Sequence, residues 1–163
     1  MFERIISLLF SLSFINAQIA LPTFQAIHKP QNTSSSSSSS VGPVIAANYD
    51  HSGAILANGT VKFWGRNWGG ALGQGHTNNI GDGSGEMGDN LPAIDLGSGR
   101  TATAIAASAY SAVAILDNGT VKAWGYNSNG QLGQGHANNI GDGSGEMGDN
   151  LPAIDLGSGR TAT

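Results

Sequence analysis

Residues 44–103 lie over residues 104–163 without a gap, a period of 60 residues. The fragments IAA, AIL, NGTVK, WG and LGQGH coincide, and the run NNIGDGSGEMGDNLPAIDLGSGRTAT recurs unchanged over 78–103 and 138–163. Self-similarity of this kind marks a modular array, in which each unit is one supersecondary element that buries its faces against its neighbours. Loop and strand are copied alike, so recurrence of a residue is no sign that it has a function.

Each unit reads as four short strands separated by turn signals. In the second unit they are Ile105–Ser108, Ala112–Leu116, Thr120–Trp124 and, after a long Gly-rich loop, Pro152–Leu156. Their counterparts in the first are Ile45–Asn48, Gly53–Ala57, Thr60–Trp64 and Pro92–Leu96. A two-residue Asn118-Gly119 turn would set Ile115 opposite Lys122. A three-residue loop, with Gly119 in the left-handed region, instead sets Val113 opposite Ala123 and Ile115 opposite Val121, which makes one apolar face. The same register puts Gly53 opposite Phe63, a small–large pair. The expected class is all-β: two blades, of four short antiparallel strands each, of an incomplete β-propeller.

Composition narrows the remaining choices. The chain has 25 glycines, no cysteine and a formal charge of −4. These exclude a disulfide framework and thiolate metal sites, and give no reason to expect nucleic acid as a partner. The opening MFERIISLLFSLSFINAQ has a charged start, an apolar stretch from Ile5 to Ile15 too short to span a bilayer, and a small residue at Ala17. It reads as a secretory signal over 1–17, with no membrane span, and places the protein outside the cell or at its surface. Residues 18–43 hold a serine run with nothing to bury and read as a disordered linker. The two repeats then occupy 44–103 and 104–163.

The glycines of GQLGQG invite a phosphate-loop reading, which fails. Gly130, Gly133 and Gly135 have the reversed spacing of a dinucleotide fingerprint, and no helix follows to aim its N-terminus at a phosphate.

The pattern A-I-L-x-x-G-x-V-x-x-W-G-x-N-x-x-G-Q-L-G-x-G resembles the regulator of chromosome condensation repeat. Trp124, Gly125, Asn127, Gly130, Gln131, Leu132, Gly133 and Gly135 stand on its signature positions. The first unit matches at Trp64, Gly65, Asn67, Gly70, Leu72, Gly73 and Gly75 and departs at Ala71. The resemblance implies four-stranded propeller blades, in a ring of about seven. It makes the glycines structural, letting the chain turn back under a packed Trp. The family also favours a His before the second strand; His51 holds that place and Ser111 does not. Two blades cannot close a ring, so further repeats or other chains are expected to complete it, a fragment of a longer protein being the first expectation.

The long loop is the place to look for chemistry. It carries His76, Asp82, Glu86 and Asp89, with His136, Asp142, Glu146 and Asp149 in the copy. Carboxylates spaced through glycines suit a hard cation such as calcium. Against that, Met87 sits where a helix-loop-helix calcium site needs its sharp-turn Gly. No Ser–His–Asp set or nucleophile elbow is present, so no enzymatic activity and no cofactor is expected. In WGRNWGG, Trp64 reads as core because Trp124 matches it. Trp68, with Arg66 nearby, reads as a surface contact, since the second unit has Ser128 in its place.

These readings point to a non-catalytic protein-interaction scaffold built from propeller repeats and acting through its loops on a protein partner. The alternative is a secreted module that binds calcium or glycan through the acidic loops. The nuclear exchange-factor activity of the family's namesake is not carried over, because it depends on a complete propeller.

Overall fold

The computed structural model describes residues 44–163. The signal and linker readings, over 1–17 and 18–43, lie outside the described residues. Those described form two three-stranded antiparallel sheets in simple up-and-down order, with no α-helix among them. The first sheet contains β1 (Ile45–Ala47), β2 (His51–Ile55) and β3 (Val61–Gly65). The second contains β4 (Ala102–Ala107), β5 (Ser111–Leu116) and β6 (Val121–Gly125).

The hairpin register is the one that packing dictates. Val113 pairs with Ala123, Ile115 with Val121 and Gly53 with Phe63. Gly119 carries the loop at φ 76°, and its amide donates to Leu116 O at 2.9 Å. Asn118 Oδ1 accepts from the Thr120 amide and closes the turn from the other side. The small–large pair in the first unit is steric: a Cβ on Gly53 would stand 2.6 Å from the Phe63 ring.

The expected fourth strand is not a strand. Segments 92–96 and 152–156 each contribute a single backbone bond to the sheet, Ile94 N to Val61 O and Ile154 N to Val121 O, both 2.8 Å. Pro92 and Pro152 have no N–H to extend a ladder. Asp95 Oδ1 and Asp155 Oδ1 each accept from the amide two residues on, which turns the chain away. The chain then passes its own hairpin tip, Ala102 N donating to Gly59 O at 3.0 Å and Ala162 N to Gly119 O at 2.9 Å.

The sheets stack face to face, and β2 and β5 bury opposite faces in the two repeats. In the first sheet His51, Gly53, Ile55, Val61 and Phe63 are buried, while Ser52, Ala54, Lys62 and Trp64 are half-buried. In the second sheet Ala112, Ala114, Leu116, Lys122 and Trp124 are buried, and on the other face Val121 and Ala123 are buried while Val113 and Ile115 are half-buried. Side chains alternate faces along a strand, so one junction covers one face of each sheet. The single apolar face expected from the register is therefore half of the design: both faces are built for burial.

Trp124 is the centre of the junction. It is fully buried, its ring meets Phe63 edge-on at 5.9 Å, and its Nε1 donates to Ala71 O at 3.1 Å. Trp64 was expected in the core. It packs half-buried against the edge of the core, whereas the first repeat covers Trp124 completely.

Candidate interaction site and loops

The Gly-rich loop after each sheet is fastened by one buried asparagine. Asn127 Oδ1 accepts from the Leu132 amide at 2.9 Å, and its Nδ2 donates to His136 O and Asn138 O at 2.9 and 2.8 Å. Asn67 does the same in the first repeat, accepting from Leu72 N at 2.8 Å and donating to His76 O at 2.7 Å. A buried amide with its polar atoms engaged fixes a loop that has little apolar surface of its own. The glycines serve the junction as much as the turn. Gly73 has φ 62°, and a Cβ there would lie 2.9 Å from the Trp124 indole nitrogen, so the Trp that packs over it belongs to the next repeat.

The acidic residues of the loops are engaged by the loops themselves. Glu86 Oε2 accepts from the Gly81 and Gly83 amides at 2.7 and 2.8 Å, and Glu146 repeats this with Gly141 and Gly143. Asp82 and Asp142 accept from Asn79 and Asn139. His76 Nδ1 and His136 Nδ1 accept from the amides of Asn78 and Asn138, closing small turns. Asp89 is exposed, while Asp149 accepts from Ser98 N at 2.8 Å and Ser98 Oγ at 2.6 Å across the junction. Those two bonds hold its carboxyl below the usual carboxylate range. Among the described residues, no three His, Asp or Glu side chains converge as metal ligands.

Two other ionisable groups are buried by packing. Lys122 Nζ donates to Leu96 O and Gly148 O at 2.9 and 2.8 Å. Burial lowers its pKa, and Asp149 and Asp95 oppose that shift. His51 opens β2 with 2 % exposure, its ring 5.8 Å from Phe63 and both ring nitrogens without a partner. Burial lowers its pKa against the opposing pull of Asp50, so the ring is held neutral.

The rim at the β1–β2 and β4–β5 turns is aromatic. Trp68, in a 3₁₀ turn at Trp68–Gly70, is 44 % exposed and lies 4.6 Å from both Tyr110 and Tyr126. Arg66 lies on the same rim, 3.2 Å from Asp50 and with its side chain half exposed. The sequence reading picked out Trp68 and Arg66 and missed both tyrosines. Their signal is a paired exchange between repeats: Asp50 and Arg66 of the first correspond to Tyr110 and Tyr126 of the second. The two pairs share a scaffold, since Arg66 N donates to Asp50 O at 2.9 Å and Tyr126 N to Tyr110 O at 2.8 Å.

The family model described as the regulator of chromosome condensation (RCC1) repeat matches residues 102–131. That stretch is similar to an RCC1 repeat. It runs from β4 through the Asn127 staple to Gln131, and the first unit carries the same sheet and staple at an offset of 60 residues. Similar solved structures include yeast RCC1 (Prp20) bound to Kap60, at 23 % identity over 72 % of this chain and 26 % of that one, TM-score 0.48. Prp20p from Saccharomyces cerevisiae, described with its binding to Gsp1p and histones, is 19 % identical over 72 % and 26 % of the respective chains, TM-score 0.48. Human WBSCR16 is 20 % identical over 62 % and 25 %, TM-score 0.43. The chain thus spans about a quarter of the length of these proteins. No helix among the described residues is long and apolar enough to cross a membrane.

Proposed function

We propose that this protein is a non-catalytic interaction scaffold: RCC1-type propeller blades that present an aromatic rim to a protein partner and belong to a larger ring. The observation that carries the proposal is the cluster of Trp68, Tyr110 and Tyr126, partly exposed and drawn from both repeats. Large aromatics preordered by each other, with an exposed Arg66 beside them, are the composition of interface hot spots. Glu86, Asp82, Glu146, Asp142, His76 and His136 are occupied with bonds inside their own loops, which favours the rim as the contact surface. Kap60, Gsp1p and histones are named with the yeast proteins and are not carried over. The N-terminal segment supports delivery outside the cell or to its surface.

The test is Trp68→Ser, which places at the rim the residue that the second repeat already tolerates as Ser128. Proteins captured by the wild-type chain are expected to be lost by the variant, with its melting midpoint nearly unchanged. Capture of the same set by both chains would remove the rim from the function.

A further inference from the structure

The two β-hairpin tips carry a chemical group that neither the turn nor the packing uses. Asn58 and Asn118 are exposed at these tips, each followed by Gly and then Thr. Each turn engages its asparagine through the side-chain oxygen alone. Asn58 Oδ1 accepts from the Thr60 amide and Asn118 Oδ1 from the Thr120 amide, both at 3.1 Å, and Thr120 Oγ1 donates to the same Asn118 oxygen at 2.8 Å. An aspartate would serve such a turn equally well. Thr101 packs beside Gly59 and Thr161 beside Gly119, which seats the glycine of each tip and leaves the asparagine exposed.

Most other asparagines of the repeats are committed. Asn48, Asn67, Asn79 and Asn90 donate from Nδ2 to backbone or carboxylate oxygens, as do Asn127, Asn139 and Asn150 in the second repeat. Asn78, Asn129 and Asn138 have Ile80, Gln131 and Ile140 two positions on, none of which carries a hydroxyl. Among the described residues, Asn58 and Asn118 alone combine an exposed side chain, an Nδ2 without a partner and a hydroxyl two residues later. That combination is the acceptor sequence for N-glycosylation on a surface turn.

We infer that Asn58 and Asn118 are acceptors of N-linked glycan, a role that rests on the delivery outside the cell proposed above. The donor is a lipid-pyrophosphate-linked oligosaccharide of a eukaryotic secretory lumen. Nδ2 forms a bond to the anomeric carbon of the first sugar while the bond from that carbon to the pyrophosphate oxygen breaks. The lipid pyrophosphate leaves with the electron pair, the amide gives up one of its two protons, and no oxidant or reductant takes part. Oδ1 keeps its bond to the threonine amide in the product, so the turn survives the modification.

The topology gives the glycans a direction. The β2–β3 hairpin is joined beyond Ile55–Val61 and open at His51–Gly65, and the β5–β6 hairpin is joined beyond Ile115–Val121 and open at Ser111–Gly125. Asp50, Arg66, Tyr110 and Tyr126 flank the open ends. The aromatic rim and the acceptor tips therefore lie at opposite ends of the sheets, separated by a five-residue strand of about 17 Å. Sugars at the tips clothe the end away from the rim.

Cell-free translation of the full chain with microsomes tests the assignment, once with its own N-terminus and once behind the cleaved signal of an established secreted protein. Only chain shielded from added protease by the microsomal membrane is analysed. Peptide-N-glycosidase in heavy-oxygen water then marks each glycosylated asparagine as a labelled aspartate in the peptide masses. Behind the borrowed signal, label is expected at both 58 and 118. Thr60→Ala should abolish the label at 58 and Thr120→Ala that at 118, whereas Thr60→Ser and Thr120→Ser, which keep the hydroxyl, should retain it. Imported chain without label at either position, or label that survives the alanine variants, would overturn the inference. Label at both positions behind the borrowed signal, with no import under the natural N-terminus, would uphold the acceptors and overturn the delivery reading instead.

Discussion

Trp64 and Trp124 occupy the same position of the repeat, yet their energetic weights differ because, among the described residues, another repeat covers only Trp124. Trp124→Ala removes a fully buried indole, its edge contact with Phe63 and its bond to Ala71 O, and should cost roughly 3–5 kcal/mol. Trp64→Ala removes a half-buried ring and should cost on the order of 1–2 kcal/mol in dilute solution. Urea denaturation of the two variants measures both, and equal losses would mean that the junction does not set their weights. The signature positions were legible in the sequence, but this inequality was not. It depends on which face of each sheet has a partner, and a pair of near-identical repeats carries no mark of that.

At the scale of elements, the strands and their register could be read because side-chain alternation and an Asn-Gly turn leave only one pairing that keeps Gly53 opposite Phe63. The fourth strand was misread because a short apolar stretch after a proline looks extended whether or not it is paired. Asn127 appeared in the sequence only as a matched position, since what it binds is a loop backbone folded around it. Its removal exposes how the Gly-rich loop is held. Asn127→Ala leaves the Leu132 amide and two loop carbonyls without their partner, at about 1–3 kcal/mol for each group that stays buried and unpaired. A total loss of roughly 3 kcal/mol is expected, together with faster proteolysis within 128–139 than within the strands. A loop that remains as resistant as in the wild type would show that the glycine turns hold themselves.

At the scale of the whole molecule, acid acts at two places in the stack of two sheets that the described residues form. His51 is buried with unpaired ring nitrogens, and its pKa is lowered in the folded state. Above the ordinary histidine value of about 6.5 both states are neutral and the ring has no effect on the balance. Below it the unfolded chain takes up a proton that the folded chain refuses, so stability falls as the pH drops through that value. Asp149 acts further down. Its folded pKa is also lowered, so the stability it lends is present above the ordinary carboxylate value of about 4 and lost as pH falls through and below it, when Ser98 loses its charged acceptor. Melting midpoints measured from neutral pH downward should therefore decline in two stages. His51→Phe, which keeps a ring against Phe63 and removes the titrating nitrogens, should flatten the first stage and leave the second. Ser98→Ala should do the reverse, since it frees Asp149 to titrate nearer its ordinary value. The first stage lies within the first blade and the second lies across the junction. A decline that moves as a single step in both variants would mean that neither group governs the acid response, and that it arises from the summed charge of the loops instead.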